Sequence, residues 1–346
     1  MIEKLTVKVG EKILTGGMEF SFSRSIENLC GCFEITCHGE TFKEGERVSV
    51  SYAGKLMMTA YLEVLQPSFS DVGTSLKIAG RDISCDLVDC SYEGSSHEFK
   101  GSQSLVDITA KLSKPYGIPV ISRLSREPRA SDFTVEPGEG VFECIERAFQ
   151  NHGVIFQTSP KGELVIDEPR PNKLECSLIE GVNIKSGTAN IDSSSKFSCY
   201  TVKGQSKNGE NLYGAAKDLS VARYRPKVLI VNEETTKNFL EKRAAWENGI
   251  KASRSKTIEL ELYGWESNEG NLWQVGMLVN VYSKRLMLEN ELMMVAALTL
   301  SYGEGGTISK LSLVRPDAFV PMPEIKSQKN KEDSDKEIRK RFNWID

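Results

Sequence analysis

The sequence is poor in the residues that most often carry catalysis and metal binding. Only three histidines occur in 346 residues, His38, His97 and His152. None stands with a serine or cysteine in a recognisable nucleophile motif. There is no Walker loop or dinucleotide fingerprint: the glycines fall in turns between strand-like stretches, and none opens a helix as phosphate cradling requires. The longest apolar run, near LMMVAALTL (292–300), is far short of the roughly 20 residues a membrane-spanning helix needs. The amino-terminal MIEKLTVKVG alternates apolar and polar residues and lacks the apolar core of a signal peptide. Basic clusters interleaved with aromatics are also missing, and a net charge of −4 argues against a chain built to grip phosphate backbones. These absences lead us to expect a soluble protein made in the cytoplasm. It should have no membrane insertion, no specific nucleic-acid binding, no cofactor and no metal.

The eight cysteines include no CxxC pair and read as free thiols. Cys30, Cys32, Cys37 and His38 crowd into LCGCFEITCHG. In a strand, however, Phe33, Ile35 and Cys37 share one face while Cys32, Glu34, Thr36 and His38 share the other, which splits the would-be ligands. A second crowded stretch is GRDISCDLVDCS (80–91), with two cysteines, three aspartates and an arginine. As a short helical turn it would be capped by Ser84 and would present Leu87 and Val88 as its apolar side. Cys85 and Cys90 would then point about 140° apart. Asp82, Asp86 and Asp89 would be solvated or capping acids, or partners of Arg81. A glycosidase pair need not be adjacent in sequence, so the many carboxylates keep a hydrolase among the alternatives.

What the chain does contain is β periodicity. With 39% apolar and 27% charged residues, it is a globular sequence long enough for two or three domains. Residues 1–95 alternate as short strands separated by Gly-containing turns and predict a small β-barrel or sandwich. Residues 96–172 predict an α+β unit. One helix starts at Ser104, with Leu105, Ile108 and Leu112 at helical spacing; another covers about 140–151, with Val141, Ile145, Ala148 and Phe149 in one stripe. A hairpin turning at Ser159 to Gly162 completes it. Residues 173–323 return to β, interrupted over about 206–254 by a helical insertion with Asn232 as cap and Gly249 as end. Residues 324–346 form a mixed-charge tail.

The two β regions can be superposed as sequence. GERVSV (45–50) matches GMLVNV (276–281). TSLKIAGR (74–81) parallels TISKLSLVR (307–315), each closing in arginine. The expected fold class is therefore α+β and mainly β: two similar small barrels flanking an α+β unit.

Four stretches in order, SRSIENLCGCFEIT, GRDISCDLVDCS, KFSCYTVKGQ and W-x-x-G-M-L-V-N-V followed by GTISKLSLVRPDAF, resemble the phage Mu-type baseplate hub proteins, sometimes filed with late control D proteins. These are similar in design to T-even hubs and to the amino-terminal part of type VI valine-glycine-repeat spike proteins. The resemblance covers roughly residues 1–320. It implies a non-catalytic structural protein of the virion baseplate, assembled in the host cytoplasm. It also implies a homotrimer in which each chain supplies two barrels, so that a ring of six joins a sixfold tail tube to a threefold spike carried by a separate chain. The implied partners are further copies of the chain, the spike protein, the tail tube and other baseplate proteins. A tail-associated cell-wall hydrolase and a type VI secretion spike component are the alternatives. The tail does not map onto the family. Its Phe342, Trp344 and Ile345 are apolar residues on a charged tether and are candidate docking residues for a spike or neighbouring tail protein.

Overall fold

Alternating apolar and polar residues become strands throughout the first β region. The computed structural model describes residues 4–14, 17–38, 41–71, 73–94, 97–150, 152–168, 174–319 and 323. The first region contains β1 (Leu5–Val9), β2 (Lys12–Ile13), β3 (Gly17–Ser25), β4 (Cys32–Cys37), β5 (Arg47–Tyr52), β6 (Lys55–Ser70) and β7 (Gly73–Asp82). Its ladders are all antiparallel. In β4, Phe33, Ile35 and Cys37 are buried while Cys32 and Glu34 face solvent, as the strand reading expects.

Next come α1 (Cys85–Asp89), β8 (Glu98–Ser104), α2 (Leu105–Ser113), β9 (Val120–Ser122), β10 (Arg129–Thr134), α3 (Val141–Phe149), β11 (Ile155–Thr158) and β12 (Leu164–Asp167). The Ser104 hydroxyl accepts the Val106 N–H at 3.2 Å and caps α2. Leu105, Ile108 and Leu112 of α2 pack with Val141, Ile145 and Phe149 of α3 around Leu87, Leu164 and Ile166. This is a separate small core.

The second β region comprises β13 (Leu174–Ile179) and β14 (Ser186–Ile191), then β18 (Lys256–Tyr263), β19 (Leu278–Ser283), β20 (Leu288–Gly303) and β21 (Gly306–Val314). Between them lie β15 (Cys199–Gln205), β16 (Asn211–Lys217), β17 (Pro226–Glu234) and α4 (Lys237–Arg254). Residues 197–248 form a compact unit of their own. That segment is more than helical: β15 pairs antiparallel with β16 and parallel with β17. Val202, Phe239, Leu240 and Ala244 form its core. Asn232 lies within β17, because the parallel ladder carries that strand on to Glu234, opposite Gln205. The helix is capped instead by Thr236, whose hydroxyl accepts the Phe239 N–H at 3.3 Å. It runs past Gly249 to Arg254.

The chain is mainly β, 51% strand against 16% helix. Thirteen strands make one sheet, because β3 pairs antiparallel with β20 and joins the two β regions. Among the described residues the ladders do not close into a barrel. The core is continuous across the same seam. Trp265 is buried with its ring 5.6 Å from Phe20 and 5.3 Å from Tyr52, and its indole N–H donates to the Ser301 carbonyl at 2.9 Å.

Strand register makes the internal repeat explicit. Each half has a long strand, β6 or β20, whose first part pairs with the preceding strand and whose second part pairs with the following one. Each long strand carries a bulge where the partner changes, between Leu62 and Val64 and between Val295 and Ala297. Beyond it, β4 joins β7 as β18 joins β21, and β3 joins β4 as β14 joins β18. Even an ion pair is duplicated: Lys77 meets Glu34 at 2.8 Å and Lys310 meets Glu259 at 3.0 Å, in matching positions of the two ladders. GERVSV and GMLVNV coincide in register, with Arg47 opposite Tyr61 and Leu278 opposite Met294. The matching arginines do not coincide. Counted from the turns at Gly73 and Gly306, the counterpart of Arg81 is Val314, and Arg315 lies outside β21. One extra residue in TISKLSLVR accounts for the slip, and a one-residue slip changes the face.

Candidate assembly surfaces

The stretch GRDISCDLVDCS ends β7 and forms α1, and its side chains are structural. Arg81 grips two carboxylates, Glu63 at 2.8 and 2.6 Å and Asp89 at 3.2 and 2.5 Å. The Arg81 hydrogen bond holds the Asp89 carboxyl below its ordinary range. Asp82 corrects the expectation of a solvated acid, for it is fully buried. Arg24 Nη2 donates to both its oxygens, at 3.0 and 2.8 Å, and the Gly31 N–H donates to Oδ2 at 2.6 Å. Burial pushes the Asp82 carboxyl up to about 6, against the opposing pull of Arg24 and the Gly31 N–H.

Ser84 does not cap α1 through its side chain. Its hydroxyl instead meets Thr158 Oγ1 at 2.6 Å and Cys30 Sγ at 3.4 Å. Thr158 donates in turn to the Leu29 carbonyl at 2.9 Å, and its own carbonyl accepts from Arg24 Nη1 at 2.8 Å. The network ties β3, the end of β7 and β11 together. Leu87 is buried, whereas Val88 is 42% exposed and does not share its apolar side. No local sequence signal points to the Arg24–Asp82 pair, since its members are 58 residues apart.

The thiols are set for packing. Burial raises Cys30 to about 11 and Cys85 and Cys144 to about 12, the opposite of what a nucleophilic or metal-binding cysteine needs. Among the described residues no three His, Cys, Asp or Glu side chains converge as metal ligands. None of the helices in the described residues is long and apolar enough to cross a membrane.

The features that remain are surfaces. The outer face over β3, β4 and β7 holds an open depression of mixed character, lined by Ser21, Ser23, Glu34 and Arg81 together with Phe33 and Val64. Strand edges without a ladder among the described residues include the outer half of β6, which pairs only with β7 beyond Tyr61, and β14, which pairs only with β18. Both carry exposed apolar side chains, Val64 at 48%, Phe69 at 89% and Ile191 at 57%. The residues singled out for docking, Phe342, Trp344 and Ile345, lie outside the described residues.

Comparison with known proteins places the chain in a class. Residues 84–168 match the family model of the baseplate hub protein gp44-like second domain. Residues 235–322 match that of the fourth domain of the Mu phage baseplate assembly protein GpP. The class these matches define is that of phage tail proteins. Within it, the chain is a homologue of the baseplate hub protein gp44 of Escherichia phage Mu, 27% identical over an alignment of 357 residues that spans 97% of this chain and 93% of the relative. Among solved structures, the 43 kDa tail protein of prophage MuSo2 from Shewanella oneidensis is 29% identical with a TM-score of 0.84, covering 93% of this chain and 100% of that one. The tail protein from Neisseria meningitidis MC58 shares the fold, with 23% identity and a TM-score of 0.78 over 92% and 99% of the two chains.

Proposed function

We propose that the chain is a structural, non-catalytic baseplate hub of a contractile phage or prophage tail, and that three copies form a ring joining the tail tube to the central spike. The observation that carries this reading is the likeness to a baseplate hub protein over nearly the whole of both chains. The duplicated ladder supports it physically. A chain with two near-equivalent β modules, each acting as one barrel-like element, lets a threefold assembly offer six similar surfaces to sixfold neighbours. In this reading the segment 324–346 docks through Phe342, Trp344 and Ile345 onto the spike or a neighbouring tail protein.

The test is the mass of the purified chain by multi-angle light scattering, with ring images by electron microscopy. A threefold mass and rings are expected; a monomer at high concentration overturns the reading. Deleting 324–346 should leave the ring intact and abolish capture of the spike protein. Unchanged capture would remove the docking role.

A further inference from the structure

We infer that the uncovered face of the β16–β15–β17 sheet, within residues 197–248, is a docking surface for an acidic amphipathic helix of another protein, independently of any ring.

The two faces of this sheet are occupied differently. On one, Leu212, Ala216, Leu229 and Val231 pack against Val202 and the α4 residues Phe239, Leu240 and Ala244. A Cβ on Gly214 would strike the backbone of Leu240 and Glu241, so the helix lies directly on that face. Side chains alternate along a strand, and the residues between these make the opposite face. Register aligns them in two rows across the sheet: Ala215, Thr201 and Val228, then Tyr213, Lys203 and Ile230. Tyr213 is 65% exposed, Val228 52% and Ile230 73%. Because the rows are cross-strand neighbours, these side chains form one patch and are not scattered surface residues.

Charge gives the sign of the partner. Residues 197–248 hold nine lysines and arginines against six acids, whereas the whole chain has 44 against 48. Lys203 stands in the second row, and Lys217, opposite Cys199, borders the first on its other side. Neither lysine has an ion-pair partner among the described residues. Unpaired cations beside an apolar patch complement a partner that brings acids around an apolar stripe. A single strand of nucleic acid needs aromatic platforms, and Tyr213 is the one aromatic residue in the two rows.

Spacing gives the shape. The rows of Lys203 and Lys217 lie four residues apart, about 13 Å along the strands, and an α-helix with its side chains is about 10–12 Å across. A helix laid across the strands would rest on Ala215, Thr201 and Val228, with one lysine on each flank and Tyr213 and Ile230 as a wall. It would complete a three-layer packing in which α4 is the layer already present.

The probe is a fluorescent synthetic helix of 18 residues, the length of α4, with a leucine stripe flanked by glutamates. Its control carries lysines in place of the glutamates. Fluorescence anisotropy with the full chain should show binding of the glutamate helix alone, weakening as salt is raised. Ile230→Asp should weaken that binding about tenfold or more. Lys203→Glu with Lys217→Glu should transfer binding to the lysine helix. These side chains face solvent, so both variants should keep the wild-type circular dichroism. Failure of the glutamate helix to bind, or equal binding by the wild-type and charge-reversed chains, overturns the proposal. Three other outcomes also overturn it by naming a different occupant. Displacement of the probe by a single-stranded DNA oligonucleotide assigns the face to nucleic acid. Binding that appears only after deletion of 324–346 assigns it to the chain's own terminus. A light-scattering mass that falls in Ile230→Asp assigns it to a second copy. A threefold wild-type mass without helix binding would sink this surface and leave the hub reading standing.

Discussion

Arg24 reaches Asp82 across the end of β4, with Nη2 at 3.0 and 2.8 Å from the two carboxylate oxygens. β3 and β7 are not ladder neighbours, since β4 lies between them. The pair is therefore a clamp independent of the backbone hydrogen bonds, and through Nη1 it also holds the Thr158 carbonyl of the α+β unit.

Arg24→Met should be strongly destabilising. It leaves the fully buried Asp82 carboxylate with only the Gly31 N–H, and losing one partner of such a pair costs about 3–5 kcal/mol. The midpoint of urea unfolding reports this directly. A change below about 1 kcal/mol would mean that water reaches the pair and screens it.

The same carboxyl makes stability depend on pH. Its folded-state value of about 6 lies above the ordinary 3.8, so between these values the folded chain holds a proton that the unfolded chain has released. The site's contribution is full below pH 3.8 and is lost as the pH rises through about 6. Asp82→Asn cannot titrate. Wild-type stability minus that of the variant should fall by about 2 kcal/mol from pH 4.5 to 6.5, on the scale of 1.36 kcal/mol per pKa unit. Parallel stability curves for the two proteins would sink the assignment.

Leu87 and Val88 are neighbours with opposite environments. Leu87→Ala should cost about 2–5 kcal/mol, because it opens a cavity among α1, α2 and α3. Val88→Ala should stay within about 0.5 kcal/mol, as expected of a surface change. Placing a charge at Leu87 should prevent the α+β core from forming and so block assembly as well, whereas Cys85→Ala and Cys90→Ala should leave assembly intact. Thermal unfolding followed by scattering measures both effects.

The cysteines should separate by accessibility. Cys32 is exposed, whereas Cys37, Cys85 and Cys144 are buried. Brief alkylation at neutral pH should modify Cys32 first and should reach Cys37, Cys85 and Cys144 only after denaturant is added. Peptide mass spectrometry gives the order, and early labelling of Cys144 would contradict the packing of α3.

Much of this architecture is written locally. The alternation of CFEITC determines which side chains of β4 face inward, because side chains on a strand change face at every residue. The stripe Val141, Ile145, Phe149 determines the buried side of α3 in the same way, by helical period. GERVSV and GMLVNV disclosed the repeat because turn and strand chemistry recur together. What only the tertiary structure decided is which edges meet and which charges are enclosed. Nothing local in β3 specifies β20 as its partner, since backbone ladder groups are the same for every strand. Asp82 reads as a surface acid until folding brings up Arg24 and Gly31, for burial and partnership are properties of the assembled core and not of the segment. Register, too, is set by bulges and turns in long-range ladders, and for that reason the counterpart of Arg81 is Val314 and not Arg315.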